Sequence, residues 1–321
     1  VVQTKWSHLN ADFSLLTKLQ SFGLNNHFTV EQRGRNFAGF FINFNGTAGV
    51  WRKTCIENSG GWQSDTLTED LDLSYRAQLK GWKFIYREDV NSPAELPITI
   101  DALKNQQFRW SKGAAECARK NLGKVLKNKS FSFFEKVNAF FHLTNSIMYL
   151  CMMILVLLTV PVVYVSLNSS VFDTYFLFAN VIFLSSCFIG VTYFVANFDA
   201  SNRLKSIFQF LYLFPLFLSV CMGIGFYVSI GVLQGFLGLK SDFVRTPKFN
   251  VINRMNPSIN VYVKSKLKLV NFIEIAIVFY SVFGMFYSFT NSNYSMMVFL
   301  VMIFAGSSYS SVNSIKHAIL K

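Results

Sequence analysis

The chain has 321 residues, enough for a globular domain of about 100–150 residues and a second unit. At 52 % hydrophobic and 17 % aromatic residues, with a mean hydropathy of +0.34, it is too apolar for an ordinary soluble protein. The formal charge of +13 could by itself point to nucleic acid, but in so apolar a chain Lys and Arg read as the flanking charge of membrane segments, which sets a nucleic-acid partner aside.

Acidic residues break sharply along the sequence. Of the 17, 13 fall from Asp12 to Glu135, and only Asp173, Asp199, Asp242 and Glu274 follow. The domain boundary is expected there. The five cysteines, Cys55, Cys117, Cys151, Cys187 and Cys221, are isolated, with neither metal-ligand spacing nor an evident disulfide framework.

In chain order, residues 1–6 read as the middle of a strand, so the sequence is expected to be a fragment of a longer one. Residues 14–24 suit a helix with Leu15, Leu16 and Leu19 on one side. Residues 37–44 are an aromatic strand candidate, followed by the small-residue loop Asn45-Gly-Thr-Ala-Gly49. Such a loop suits close approach to a ligand and equally a tight connection in an α/β domain.

The next helix carries readable punctuation. Thr66 and Glu69 fit a capping box, Leu71, Tyr75 and Leu79 form a buried stripe, and Gly81 suits the C′ position. Residues 82–86 follow as a strand. Asp70 then sits in the first turn, where acidic residues are favoured in any case. Asp70-Leu-Asp72 matches a D-x-D metal pattern, but residues two apart on a helix point to nearly opposite sides and cannot readily chelate one ion.

Residues 93–97 form a loop between two prolines, and 101–122 read as a helix bearing Gln106, Gln107, Arg109 and Trp110. The basic run 124–129 and the aromatic, amphipathic stretch 131–143 follow, both helical segments suiting a membrane interface. Beyond them, 141–165, 175–198, 269–289 and 294–313 reach spanning length. The stretch 207–237 contains Pro215 and several glycines and has Arg203 and Lys205 before it and Lys240, Arg245 and Lys248 after it. Positive charge on both flanks predicts a re-entrant or interfacial hairpin there, with a simple span as the alternative. Glu274, the lone acid inside a span, is a candidate for function or for a snorkelling or Lys-paired structural role.

Phe44-Asn-Gly-Thr-Ala-Gly49, Thr68-Glu-Asp70, Gln106-Gln-Phe-Arg-Trp110, the apolar spans and Phe243-Val-Arg-Thr-Pro-Lys248 occur in that order. This succession resembles the processive family 2 glycosyltransferases of the cellulose synthase type, in particular the cellulose-synthase-like glucan and mannan synthases. The resemblance implies that Asp70 is the general base on the acceptor hydroxyl and that Gln106 and Arg109 lie at the nucleotide diphosphate. It also implies that Trp110 is the platform for the acceptor's terminal sugar, with Asn45, Gly46 and Thr47 lining the acceptor. Thr246 and Lys248 fit the family's gating loop as further diphosphate contacts. Two positions depart from the pattern: Asn45 replaces a Cys, and Arg245 stands where Val is expected.

The implied architecture is the C-terminal half of a GT-A-like α/β domain (1–100), interfacial helices (101–136) and an all-α transmembrane domain (137–321) with a gating-type loop at 239–268. The implied activity is inverting β-glycosyl transfer from UDP-glucose or GDP-mannose to a growing polysaccharide, coupled to passage through the membrane. A single-addition enzyme with a lipid acceptor, and a non-catalytic scaffold or transporter, are the alternatives. The family's D-x-D for Mg²⁺ or Mn²⁺ is expected upstream of Val1, so no metal ligand is assigned here and the chain as given is expected to be inactive. The expected partners are a nucleotide sugar, a glycan or lipid acceptor and the bilayer, with no protein partner specified. The expected location is a bacterial inner membrane with the catalytic part cytoplasmic.

Overall fold

The computed structural model describes residues 1–168, 187–248 and 269–319. Of the predicted elements, the first part of the 175–198 span and residues 249–268 of the gating-type loop lie outside the described residues. The contacts divide into two compact units, one of residues 1–98, 102–150 and 228–257, the other of 99–101, 151–227 and 258–321.

The first unit is built on a three-stranded sheet in the order β2-β1-β3. Strand β1 (Val2–His8) pairs antiparallel with β2 (Gly49–Val50) and parallel with β3 (Ile85–Ala94). The close approach of β2 requires Gly49: its φ is +150°, and a Cβ there would stand 2.1 Å from the Val2 carbonyl oxygen. The β1–β3 register shifts between Thr4, opposite Arg87, and Lys5, opposite Asn91. Glu88 in the bulged stretch is held by Lys5 at 3.3 Å and Arg33 at 3.2 Å. The strand predicted at 82–86 therefore starts at Ile85 and runs on through Pro93, which was expected in a loop. Since β3 is an edge strand, a residue without an N–H is tolerated in it.

Helix α1 (Leu15–Asn26) starts at Ser14, whose side chain forms a reciprocal capping box with Thr17. It continues through a π-helical turn, His27–Gln32, into α2 (Arg33–Phe37). The expected strand at 37–44 does not form. Side chains satisfy its backbone instead: Gln78 accepts from Ile42 N–H and donates to Ile42 C=O, Ser74 accepts from Phe44 N–H, and Gln32 donates to Asn43 C=O. Helix α4 (Glu69–Leu79) thus lies where a partner strand would otherwise be needed, with the short α3 (Lys53–Asn58) ahead of it.

The predicted capping box of α4 is also absent. The N-cap is Thr68, and its side chain makes no cap bond. Instead the Leu67 N–H donates to buried Glu116 at 2.7 Å and the Thr68 hydroxyl lies 3.5 Å from Cys117 Sγ. Helix α5 (Ile100–Lys127) packs against this turn, and Gly113 admits the approach. A Cβ at Gly113 would fall 2.5 Å from the Thr68 hydroxyl. Phe41, Tyr75, Cys117, Ala118, Val125, Ala139 and Leu143 then form the core between α4, α5 and α6 (Phe133–Thr144). The basic residues Lys124 and Lys127 belong to the last turn of α5.

The second unit is helical. Helices α7 (Ile147–Asn168), α9 (Arg203–Leu237), α10 (Leu269–Thr290) and α11 (Met297–Ile319) are long and apolar enough to cross a membrane. A shorter apolar helix, α8, is described over Cys187–Asn197. Pro161 inside α7 leaves the Leu157 carbonyl without its usual donor, and the Tyr280 hydroxyl supplies one at 2.5 Å.

Helix α9 corrects the hairpin expected at 207–237: it runs unbroken for 35 residues, about 52 Å. Its glycines are packing positions rather than turns. A Cβ at Gly223 would meet the Gly306 backbone at 2.2 Å, and one at Gly225 the Met152 side chain at 2.6 Å. Glu274 is fully buried and accepts from the Ser310 hydroxyl at 3.2 Å.

Candidate active site

The start of α4 presents two carboxylates in opposite surroundings. Asp72 is fully buried and saturated: Arg76 Nε lies at 2.8 Å, Lys120 Nζ at 3.0 Å and Asn121 Nδ2 at 2.9 Å. Arg76 in turn donates to the carbonyls of Ser59 and Gly61. This group pins α4 to the loop before it and to α5. Both Asp72 oxygens are thereby engaged.

Asp70 is half-buried and turned the other way. Its oxygens accept only backbone N–H groups in the described contacts, Gly46 at 2.6 Å and Leu71 at 2.8 Å. Burial raises its pKa from 3.8 to about 6 against the lowering effect of these two N–H donors, and the neighbouring Glu69 carboxylate adds to the rise. A carboxylate so poised is deprotonated at neutral pH yet basic enough to take a proton from a hydroxyl. Glu69 itself is exposed and makes no capping bond, contrary to its predicted role.

The Asn45–Gly49 loop is brought to Asp70 by three anchors. Gln3 of β1 accepts from Asn45 N–H at 2.8 Å, Gln32 Nε2 donates to Asn45 Oδ1 at 3.0 Å, and Asn45 Nδ2 lies 3.3 Å from His27 Nε2. Gly46, at φ +58°, then points its N–H at the carboxylate. Thr47 is exposed on the same loop.

Helix α5 brings Arg109 and Trp110. The charges of Glu69 and Asp70 act on the Arg109 guanidinium, whose pKa burial lowers and those two carboxylates raise. Its Nε is buried with no hydrogen-bond partner among the described residues, and its planar head lies 4.6 Å from the Phe243 ring centroid. Lys248 donates to the Glu95 carbonyl at 2.8 Å and feels both Arg245 and Arg109. Three cations therefore act on one another here, and of them Arg109 also feels the Asp70 carboxylate. Thr246 is buried, its hydroxyl also without a partner among the described residues. Gln106 lies three residues before Arg109 on the same helical face, half-buried, and no hydrogen bond among the described residues ties it to the group.

Trp110 leans on Trp6 of β1, with ring centroids 6.1 Å apart and planes at 52°. Trp6 also reaches to 3.7 Å of where a Gly46 Cβ would be. Sequence reasoning missed Trp6, along with Gln32 and His27, because nothing in local spacing tells that β1 and the π-helical turn flank this loop. The result is an aromatic wall, a basic carboxylate and a cationic cluster within one unit.

A divalent ion does not fit the residues present. Among the described residues no group of three His, Cys, Asp or Glu side chains could hold one, and Asp72 is already occupied by its three donors.

Residues 2–230 match the model of glycosyl transferase family group 2. Among curated proteins, glucomannan 4-beta-mannosyltransferase 1 of Oryza sativa subsp. japonica is 44 % identical over 142 residues, 44 % of this chain and 27 % of the relative. Probable glucomannan 4-beta-mannosyltransferase 2 of the same plant is 46 % identical over 136 residues, 42 % of this chain and 23 % of the relative. Glucomannan 4-beta-mannosyltransferase 2 of Arabidopsis thaliana is 45 % identical over 137 residues, 43 % and 26 %. The chain thus covers about a quarter of each of these relatives. They are plant proteins, so the expected bacterial inner membrane finds no support in them, whereas the four long apolar helices agree with an integral membrane protein.

Proposed function

The chain belongs to glycosyl transferase family group 2, and we propose that it carries the acceptor and leaving-group side of an inverting β-glycosyltransferase that extends a polysaccharide at a membrane. The observation that carries this reading is the convergence of Asp70, its pKa raised to about 6, with the Gly46 N–H, Trp110 and the guanidinium of Arg109.

The acceptor's terminal sugar stacks its apolar face on the Trp110 indole, against the wall completed by Trp6, which turns one hydroxyl toward Asp70. The Asp70 carboxylate takes that hydroxyl's proton as the oxygen attacks the donor's anomeric carbon. A C–O bond to the acceptor forms while the bond to the diphosphate oxygen breaks and its electron pair leaves with the diphosphate. Attack opposite the departing group inverts the centre, so an α-linked donor gives a β-linkage. Arg109, Arg245 and Lys248 supply positive charge for the diphosphate, and the Arg109 Nε and Thr246 hydroxyl, without a partner among the described residues, are donors for it. Gln106, on the Arg109 face of α5, is placed to join them. Asn45, Gly46 and Thr47 line the acceptor side.

The relatives' names favour mannose as the transferred sugar, from GDP-mannose, over glucose from UDP-glucose. The four apolar helices support delivery of the polymer through the membrane from a cytoplasmic catalytic side. The test uses the full-length protein reconstituted in vesicles with radiolabelled GDP-mannose or UDP-glucose outside. Labelled polymer that grows on a sizing gel and is lost with Asp70→Asn is the expected result. One sugar added per lipid would refute polymerisation, and near-normal incorporation by Asp70→Asn would refute Asp70 as the base.

A further inference from the structure

Five side chains behind the Asn45 loop form a closed ring of hydrogen bonds and charge pairs, and their chemistry fixes the direction of each bond. The Asn43 carbonyl can only accept, so Gln32 presents its amide nitrogen there, at 2.7 Å. The same nitrogen donates to Asn45 at 3.0 Å, so Asn45 presents Oδ1 to Gln32 and turns its own NH₂ toward His27. His27 Nε2, 3.3 Å away, must then be the unprotonated, accepting nitrogen. The ring proton sits on Nδ1 and is donated to Glu31 Oε2 at 3.1 Å. Arg35 closes the circle, reaching Gln32 Oε1 at 3.4 Å and Glu31 Oε2 at 3.7 Å. Along the run from Gln32 through Asn45 and His27 to Glu31 each donor then meets an acceptor, and this arrangement requires neutral His27 in its Nδ1–H form. A proton on Nε2 would set two donors against each other at Asn45.

From this geometry we infer that His27, oriented by Glu31, is a positioning residue that holds Asn45 so that the Gly46 N–H stays aimed at the Asp70 carboxylate. The inference rests on the proposed role of Asp70 as base. The logic is that of an outer contact that sets the tautomer of a histidine, and through it the geometry of a reacting group. His27 touches no substrate in this account. It acts through one loop residue on one hydrogen bond, and that bond lowers the basicity of Asp70. The charged and titratable groups facing Asp70 are Glu69 on its own helix and Arg109 and Cys117 from α5. Those facing His27 are Glu31 from the same helical run, itself paired with Arg35, and His142 from α6.

The test compares His27→Ala and His27→Gln in the full-length protein, reading kcat, donor KM and the acid limb of the pH–rate profile. Alanine removes the acceptor of Asn45, freeing the Gly46 N–H from the carboxylate. The expected result is a kcat about 10-fold lower with donor KM within about 2-fold, and an acid limb moved upward by about half to one pH unit. Glutamine offers an oxygen to Asn45 and an NH₂ to Glu31, so it should restore most of the rate and return the limb toward the wild-type position. A His27→Ala enzyme with an unmoved acid limb overturns the inference, as does glutamine behaving like alanine. If His27→Ala does not accumulate, Glu31→Leu leaves the ring in place but removes the acceptor that sets its tautomer, and the same shift is expected. An unmoved limb there overturns the inference equally. Asp70→Asn in parallel keeps the two questions apart. If it retains turnover the base assignment fails, whereas its inactivity beside an unmoved His27→Ala profile refutes the positioning role alone.

Discussion

Replacing Asp70 by Asn should change stability with a sign that depends on pH. The folded protein holds this carboxyl at a pKa of about 6 against an ordinary 3.8, so folding favours its protonated form. That contribution is fully present below the unfolded value and is lost as pH rises through about 6. At pH 8 the ionised group therefore opposes folding. The gap, at about 1.4 kcal/mol per pH unit, corresponds to about 3 kcal/mol, and solvent reaching its open side reduces this to about 2. Asparagine avoids that cost but has one acceptor oxygen for the two N–H groups of Gly46 and Leu71, which loses about 1 kcal/mol. Asp70→Asn should accordingly stabilise the protein by about 1 kcal/mol at pH 8 and destabilise it by a similar amount at pH 4. Thermal unfolding followed by intrinsic fluorescence should show a midpoint about 2 °C above wild type at pH 8 and about 2 °C below at pH 4. A midpoint difference that does not vary with pH would refute the argument, whatever happens to activity. If Asp70 is the base, as proposed, the same ionisation should set the reaction's acid limb near pH 6.

Trp110→Ala should raise the KM for acceptor about 10-fold or more while leaving donor KM within about 2-fold, because on the proposed reading Trp110 is the platform for the acceptor sugar; steady-state kinetics with short acceptors reads this, and equal loss of both would return Trp110 to a packing role. Asp72→Ala should destabilise the protein by about 3 kcal/mol or more at neutral pH, since Arg76, Lys120 and Asn121 lose a shared buried acceptor; a thermal midpoint within 1 °C of wild type would contradict its role as a strut.

Parts of this arrangement are legible in the sequence and others are not, for identifiable reasons. The opposite fates of Asp70 and Asp72 follow from helical geometry alone, because two residues on a helix differ by about 200°. The long apolar helices follow from hydropathy. The strand expected at 37–44 fails because aromatic content says nothing about what satisfies the backbone, and here Gln78, Ser74 and Gln32 do so from other segments. The capping box at Thr66 fails because α4 starts two residues later than the spacing suggests, with Thr68 at the N-cap, so Glu69 is the first helical residue rather than the third. Pro215 and the glycines of α9 look like breakers locally. Gly223 is instead where α9 meets the backbone at Gly306, a partner invisible to any window of sequence around it. Trp6 and His27 escaped notice for the same reason. Their importance arises only when β1 and the π-helical turn close on the Asn45 loop.

The two carboxylates of α4 explain why the site needs its remote supports. Asp72 is bonded to Arg76, Lys120 and Asn121, so it can stay ionised in a fully buried place and fix the helix in position. Asp70 has no hydrogen-bonded cation among the described residues, only two N–H dipoles, which is what lets burial raise its pKa. A base needs that weak stabilisation: a direct ion pair with Arg109 would hold the carboxylate ionised but too weakly basic to take a hydroxyl proton. The Gly46 N–H is the adjustable part of the balance, because it comes from a loop rather than from the helix itself. A loop donor keeps its aim only if its neighbour is anchored, and the ring through Gln32, His27, Glu31 and Arg35 provides that anchor from the far side of the loop. On the proposed reading, the basicity of Asp70 is set jointly by a rigid helix and by a loop anchored by Gln3, Gln32 and His27.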